Sequence, residues 1–366
     1  MRIDDLLTPC LLLDRGILER NIATMAQTLA SHGVPLRPHM KTAKSIDVAR
    51  LVLQGQHGGI TVSTLAEAAY FARRGIRDIL YAVGITPRKL DAVARLNAEG
   101  ADVAVITDDA DVAGVIAAHP RPPRTLIEID SGEARGGVAA EDEPLLEITR
   151  RLGSCLAGVI THAGHSYAGR TPEDMARFAE AERKAVTTAA ERLRTAGRTV
   201  PIVSMGSSPT ALHGGSFAGA TEVRAGVYMF GDLFQAEIGT HGIDDIAVTV
   251  LASVIGRRPG RLLVDAGGLA LSKDRSTEAA PKDYGFGLVL DRLGRRSYGD
   301  AIVRRAYQEH GVVELDPAHK PDLPIGGLVR VAPNHTCMTV AAHDRYYVVD
   351  GGDEVVGVWE RVNYWE

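Results

Sequence analysis

The sequence is short of cysteine, of long apolar runs and of surplus positive charge, and each shortage removes a class of protein. Three cysteines among 366 residues, Cys10, Cys155 and Cys337, are odd in number and far apart, unlike the framework of a disulfide-stapled secreted domain. Each is left to serve as core or as a ligand. No apolar stretch approaches the roughly 20 residues that a membrane span needs, and the opening Met1-Arg2-Ile3-Asp4-Asp5 is acidic where a signal peptide would be basic. A cytoplasmic protein is therefore expected. A net charge of -5 lacks the basic footprint of a nucleic-acid binder, so the expected partner is a small molecule. What the chain does have is hydrophobic residues, 45% of the total, enough at this length for one large domain and a smaller one.

From residue 35 to about 228, short β-rich runs alternate with amphipathic segments, the pattern of βα units around a parallel sheet. Eight strands are expected, at 36–40, 59–63, 79–83, 103–107, 125–130, 157–162, 202–206 and 222–228, with helices such as 64–74, 87–98 and 172–196 between them. Eight such units predict a closed (β/α)8 barrel, an α/β fold of the TIM type, whose chemistry sits at the carboxyl ends of the strands. The residues there are polar: Lys41, Ser63, Asp130, His162, Gly206 and Arg224. After about residue 245 the chain turns to β-branched runs broken by Gly, Asp and Pro, which predicts a C-terminal all-β domain with strands at 247–255, 261–265, 328–331, 345–350 and 354–360. The run 9–14 has no barrel partner and is assigned there too. The expected domains are 15–240 for the barrel, and 1–14 with 241–366 for the β domain.

Within the run Leu36-Arg37-Pro38-His39-Met40-Lys41-Thr42, Pro38 fixes its own φ and pushes Arg37 toward an extended conformation, so the segment is not mid-helix. It ends on Lys41, beside Arg37 and His39. A lysine at a strand's carboxyl end with cationic neighbours loses its proton near neutral pH and becomes an amine able to form a Schiff base; an ordinary surface lysine is the alternative. Gly206-Ser207-Ser208-Pro209-Thr210 is a small-residue turn that could present N–H groups and hydroxyls to an anion, or be a plain polar turn. In Arg224-Ala225-Gly226-Val227-Tyr228, the arginine could donate to a ring nitrogen or a carboxylate, or form a structural salt bridge, and the glycine allows backbone to approach a ligand. His162 ends the sixth strand and could lie against an aromatic cofactor with Tyr167 in reach, or be a hydrogen-bonded core histidine.

Pro333-Asn334-His335-Thr336-Cys337 places an imidazole and a thiol two residues apart. On a strand they share a face and could grip one metal ion, leaving positions open for water and substrate as Lewis-acid catalysis requires. Thiolate favours zinc over magnesium. Glu309-His310-Gly311 is a further polar cluster that could support this metal site or serve as acid or base.

Taken together, Arg-Pro-His-Met-Lys-Thr, Thr-His-Ala-Gly-x-Ser-Tyr, Gly-Ser-x-Pro-Thr, Val-Arg-Ala-Gly-Val-Tyr, Gln-Glu-His-Gly and Pro-Asn-His-x-Cys, in this order from residue 8 to residue 359, resemble the D-serine dehydratases and D-threonine aldolases of the alanine racemase-like (fold type III) pyridoxal phosphate fold. The resemblance implies that Lys41 carries pyridoxal 5'-phosphate. Gly206, Ser207, Gly226 and Val227 or Tyr228 would hold its phosphate largely through backbone N–H groups, His162 would pack on the ring, and Tyr167 or Arg224 would face the pyridine nitrogen. His335 and Cys337 would hold Zn2+, with Mn2+ or another divalent ion as alternatives.

The implied activity is a dehydratase, an ammonia-lyase, that turns a 3-hydroxy-D-amino acid such as D-threo-3-hydroxyaspartate, D-serine or D-threonine into a 2-oxo acid and ammonia. The rivals are a metal-dependent aldolase giving glycine and an aldehyde, and a pyridoxal phosphate carrier without turnover. Aldolases of the group resemble His-x-Asp where this chain has His335-x-Cys337. The stretch 265–270 lacks the tyrosine that serves alanine racemases as a second base. The resemblance also implies a homodimer with shared active sites, in which Lys41 and the His335/Cys337 pair come from different subunits.

Overall fold

A computed structural model of the chain describes residues 1–56, 58–319 and 322–365. Its contacts group the chain into two compact units, Met1–Ala23 with Val227–Asn363, and Thr24–Gly226 with Tyr364–Glu366. One boundary falls inside helix Arg15–Ser31 and another follows Gly226. The limits 15–240 take in the whole of that helix and the short helix Leu233–Glu237, and stand as a proposal about which segment folds as a domain.

The second unit contains the expected barrel. Strands Leu36–Pro38, Ile60–Val62, Asp78–Gly84, Asp102–Thr107, Thr125–Ile129, Leu156–Thr161, Ile202–Met205 and Glu222–Ala225 form one parallel sheet of eight, in which the second to the eighth pair in sequence order and the first pairs with the last. The ring closes through a bridge between His39 and Thr61, where the Met40 N–H donates to Thr61 O at 2.8 Å. The closing seam thus lies immediately before Lys41. Strands such as Asp102–Thr107 are buried on both faces after their first residue, which is why they read as continuous apolar runs. Helix starts follow local capping chemistry: Thr64, Asp109 and Thr171 each accept an N–H from the first turn, and Pro172 occupies the first turn of helix Pro172–Thr195.

The last barrel strand stops at Ala225, three residues short of the expected end, and the chain passes into a 3-10 turn at Val227–Met229. The break has a steric origin. A side chain at Gly226 would meet His39 O at 2.9 Å, so the glycine serves the approach of two backbones.

The first unit is built on nine strands, in the order Arg261–Val264, Gly311–Glu314, Ile302–Ala306, Leu288–Leu290, Leu328–Ala332, Val248–Arg258, Cys10–Asp14, Arg345–Val349 and Gly357–Glu360. Arg261–Val264 also pairs with Val248–Arg258, which closes six of the strands on themselves. Cys10–Asp14 runs antiparallel to Val248–Arg258 and parallel to Arg345–Val349. Three strands, 288–290, 302–306 and 311–314, have no counterpart in the sequence expectation, because runs of three to five residues broken by Gly, Arg and Asp carry little periodicity. Among the described residues no helix is long and apolar enough to cross a membrane.

Candidate active site

Lys41 sits in a turn closed by the Lys44 N–H donating to Met40 O at 2.8 Å, and its side chain is exposed. Its own N–H donates to His39 Nδ1 at 3.3 Å. The two lysines of this turn have different surroundings. Lys44 Nζ lies 3.2 Å from the buried Glu67 carboxylate, whereas no carboxylate among the described residues is within ion-pair distance of Lys41. Arg37, expected as a cationic neighbour of Lys41, is not one. Its guanidinium is committed to Glu222 at 2.7 Å and Asp78 at 2.9 Å, so its charge is neutralised there.

Other cations take its place. Arg224 is buried, donating from Nη1 to Ser204 Oγ at 2.8 Å and from Nη2 to Thr161 O at 2.6 Å. His162, one residue beyond strand Leu156–Thr161, bonds through Nδ1 to Gly206 O at 3.0 Å. Burial pushes its imidazole down to about 3, with Lys41, Arg224 and Arg135 adding to the shift and the Gly206 bond opposing it. His39 is held well below the usual range by burial and by Lys41, Arg224 and His162. Two neutral imidazoles beside fixed cations make a pocket of positive potential, which fits an anionic cofactor. Arg135 and Glu128 belong to this cluster and escaped the sequence reading. Burial raises the Glu128 carboxyl while Arg135 pulls it down.

The turn after strand Ile202–Met205 differs from expectation. Gly206 adopts φ +124°, and a side chain there would collide with Arg224 backbone, which accounts for the glycine. Its N–H donates to Glu182 Oε1 at 2.9 Å, and the Ser207 N–H donates to Thr210 Oγ1 at 2.9 Å. Both N–H groups expected to face a phosphate are therefore engaged inside the protein. By contrast, the N–H groups of Gly226 and Val227 take no part in the backbone bonds of their turn among the described residues. Ser207 keeps its Oγ 3.0 Å from Ser166 Oγ. Tyr167 is half-buried in the 3-10 turn Gly164–Ala168. Tyr228 lies in the other unit, and burial pushes its phenol up.

In the first unit, strand Leu328–Ala332 ends before the metal motif. His335 and Cys337 do not share a strand face. His335 is the extended residue that opens helix Thr336–Val340, and Cys337 lies in the first turn. The thiol is still near enough to act on the imidazole, and Cys337 is among the groups that raise it. The turn is pinned from both sides. Asp232 accepts the Thr336 N–H at 3.0 Å, and the Asn334 amide donates to Gly285 O at 2.6 Å and Asp274 O at 3.2 Å. Asp274 Oδ2 lies 3.1 Å from His335 Nδ1.

Burial lowers the His335 imidazole, but Asp274, Cys337 and Asp232 outweigh it and carry the group to about 11. Burial likewise raises Asp274, and its bonds from His335 and Ser276 bring it down to about 2. An imidazole held by a carboxylate with a thiol beside it offers the ligand types a soft divalent cation takes, so the donor set suits zinc. Among the described residues no group of three His, Cys, Asp or Glu is placed to close a site around an ion. Glu309 and His310 lie exposed in the turn between Ile302–Ala306 and Gly311–Glu314, and neither side chain bonds to His335 or Asp274 among the described residues. The cluster does not support the pair. Asp274 does, and at 61 residues from His335 it gave no signal in the sequence.

Comparison with known proteins bears on both regions. The family described as alanine racemase, N-terminal domain, matches residues 13–233, and the family described as putative serine dehydratase domain matches residues 247–349. The chain is 43% identical to D-threo-3-hydroxyaspartate dehydratase of Delftia sp. (strain HT23) over 98% of each chain. It is 30% identical to 3-hydroxy-D-aspartate aldolase of Paracoccus denitrificans (strain Pd 1222), over 96% of this chain and 90% of that one. A solved structure of a D-threo-3-hydroxyaspartate dehydratase mutant in the metal-free form superposes with a TM-score of 0.95 at 41% identity, covering 100% of both chains.

Proposed function

The chain belongs to the alanine racemase-like family of pyridoxal phosphate enzymes, in the branch of the D-serine dehydratases and D-threonine aldolases, and on that premise we propose that it is a lyase dehydrating a 3-hydroxy-D-amino acid, D-threo-3-hydroxyaspartate before D-serine and D-threonine, to a 2-oxo acid and ammonia. The observation that carries dehydration over aldol cleavage is the Cys337 thiol beside His335, where the aldolases of the group resemble His-x-Asp.

Pyridoxal phosphate, when bound, supplies an electron sink for the substrate's α-carbon. In the proposed roles, the exposed Lys41 amine would hold the cofactor and then remove the α-proton. The neutral His162 ring packs against the cofactor. Arg224, rigidly held by Ser204 and Thr161, is assigned to the pyridine nitrogen ahead of Tyr167. The phosphate is assigned chiefly to the Gly226 and Val227 N–H groups, with Gly206, Ser207 and Tyr228 shaping the turns around it. A divalent metal ion, when bound, supplies the Lewis acidity that makes hydroxide a tolerable leaving group. His335 and Cys337 are the proposed ligands and zinc the proposed ion, while Asp274 fixes the imidazole by holding Nδ1 and so directs the other nitrogen outward. A cytoplasmic homodimer is the proposed working form.

Product analysis tests the reading. The zinc-loaded protein supplied with pyridoxal phosphate is mixed with D-threo-3-hydroxyaspartate and with D-threonine. A 2-oxo acid with ammonia is expected; glycine or an aldehyde would make it an aldolase, and no product from either would make it a carrier.

A further inference from the structure

Helix Pro172–Thr195 buries one stripe, formed by Met175, Ala179, Val186, Ala189, Ala190 and Leu193. Glu182 lies on the same stripe with no exposed surface. A carboxylate there is tolerated only when its lone pairs are met by donors. They are met from two loops. Oε1 accepts the Ala163 N–H at 3.0 Å and the Gly206 N–H at 2.9 Å, and Oε2 accepts the Thr210 hydroxyl at 2.8 Å. None of these donors is charged, and none belongs to the helix itself.

The two loops are the ones that carry the proposed cofactor contacts. Ala163 follows His162, and Gly206 and Thr210 bracket Ser207. The loops also touch each other directly, through His162 Nδ1 with Gly206 O at 3.0 Å and Ser166 Oγ with Ser207 Oγ at 3.0 Å. Glu182 ties both of them to a third, regular element. The carboxyl also sets the direction of the hydroxyl beside it: Thr210 donates to Glu182 and accepts from the Ser207 N–H.

We propose that Glu182 is a positioning residue for cofactor binding, a clasp on helix Pro172–Thr195 that holds the His162–Ala163 turn and the Gly206–Thr210 turn in one register. The proposal rests on the pyridoxal phosphate reading of the barrel. Glutamine at this position keeps the shape but has a single acceptor oxygen, so one of the three bonds must be lost or reversed. Aspartate keeps the charge and shortens the reach.

The experiment measures pyridoxal phosphate affinity by absorbance titration of the apoprotein, with apoprotein melting followed in parallel, for the wild type, Glu182→Gln, Glu182→Asp and Val186→Ala. Val186 is fully buried on the same stripe, so its truncation loosens the helix without touching either loop's bonds. The expected result is a loss of affinity of about tenfold or more in both Glu182 variants, the size of one charge-assisted hydrogen bond. Val186→Ala should melt earlier with affinity unchanged, and excess cofactor should restore the kcat of Glu182→Gln. Affinity in both Glu182 variants equal to that of Val186→Ala or of the wild type would overturn the clasp. A wild type that binds no pyridoxal phosphate would overturn it too, and would mark the failure as that of the underlying reading.

Discussion

The histidines at the barrel strand ends and the histidine of the metal motif stand at opposite ends of the titration scale, and the contrast separates two kinds of site. His162 is half-buried beside Lys41, Arg224 and Arg135, and it is driven to about 3. His335 is half-buried, its side chain 36% exposed, but Asp274, Cys337 and Asp232 surround it, and it is driven to about 11. Burial acts in the same direction on both. The sign of the neighbouring charges therefore decides the outcome. The first region is prepared for an anion and the second for a cation, which is how a phosphate-bearing cofactor and a divalent metal would divide the chain between them.

Removing the reactive cation from the anion site should have the largest effect. Lys41→Ala is expected to lower turnover by about 10⁴-fold, the scale of losing both nucleophile and proton carrier, and to abolish borohydride-trapped cofactor on the chain; retained turnover would remove Lys41 from the chemistry. Removing the soft ligand from the cation site comes next. Cys337→Ala should leave the purified protein without metal by atomic emission and lower turnover by about 10³-fold, for want of Lewis acidity.

Asp274→Asn strikes at the contrast itself, since it deletes the anion bonded to His335 Nδ1. Metal affinity should fall by about 10- to 100-fold, as for other partners that orient a ligating histidine. In metal-stripped protein the His335 resonance should titrate well below its wild-type value of about 11; an unchanged titration would mean that Asp274 does not set the charge of this imidazole.

The smallest effect sharpens the other half. Because the folded value of His162, about 3, lies below an unfolded value near 6.5, the unfolded chain takes up a proton that the fold refuses, and stability falls as the pH drops from about 6.5 toward 3. Urea unfolding of the apoprotein at pH 7 and pH 5 should show His162→Gln losing less stability than the wild type by up to ~2 kcal/mol, from ~1.4 kcal/mol per pH unit. Equal losses would place the acid lability elsewhere.

The barrel was legible because its signal repeats. Each buried parallel strand is a short apolar run, and most are followed by a helix, several of them with a side-chain cap, so the units reinforce one another. The β domain repeats nothing, and three of its short strands, 288–290, 302–306 and 311–314, went unseen. Glu182 did leave a trace, a carboxylate at helical spacing in an apolar stripe from Met175 to Leu193. Arg37 misled, because proximity to Lys41 along the chain said nothing of Glu222 and Asp78 across the sheet.

Periodicity, caps and residue types along the chain determined the barrel, the change to β structure after it, and the positions of Lys41, His162, Arg224, His335 and Cys337. Local physics suffices for these, since each depends on residues a few positions apart. Tertiary structure alone decided the charge states. Whether an imidazole is neutral or protonated depends on which charges the fold carries to within a few ångströms of it, and Asp274, 61 residues from His335, is brought there only by folding.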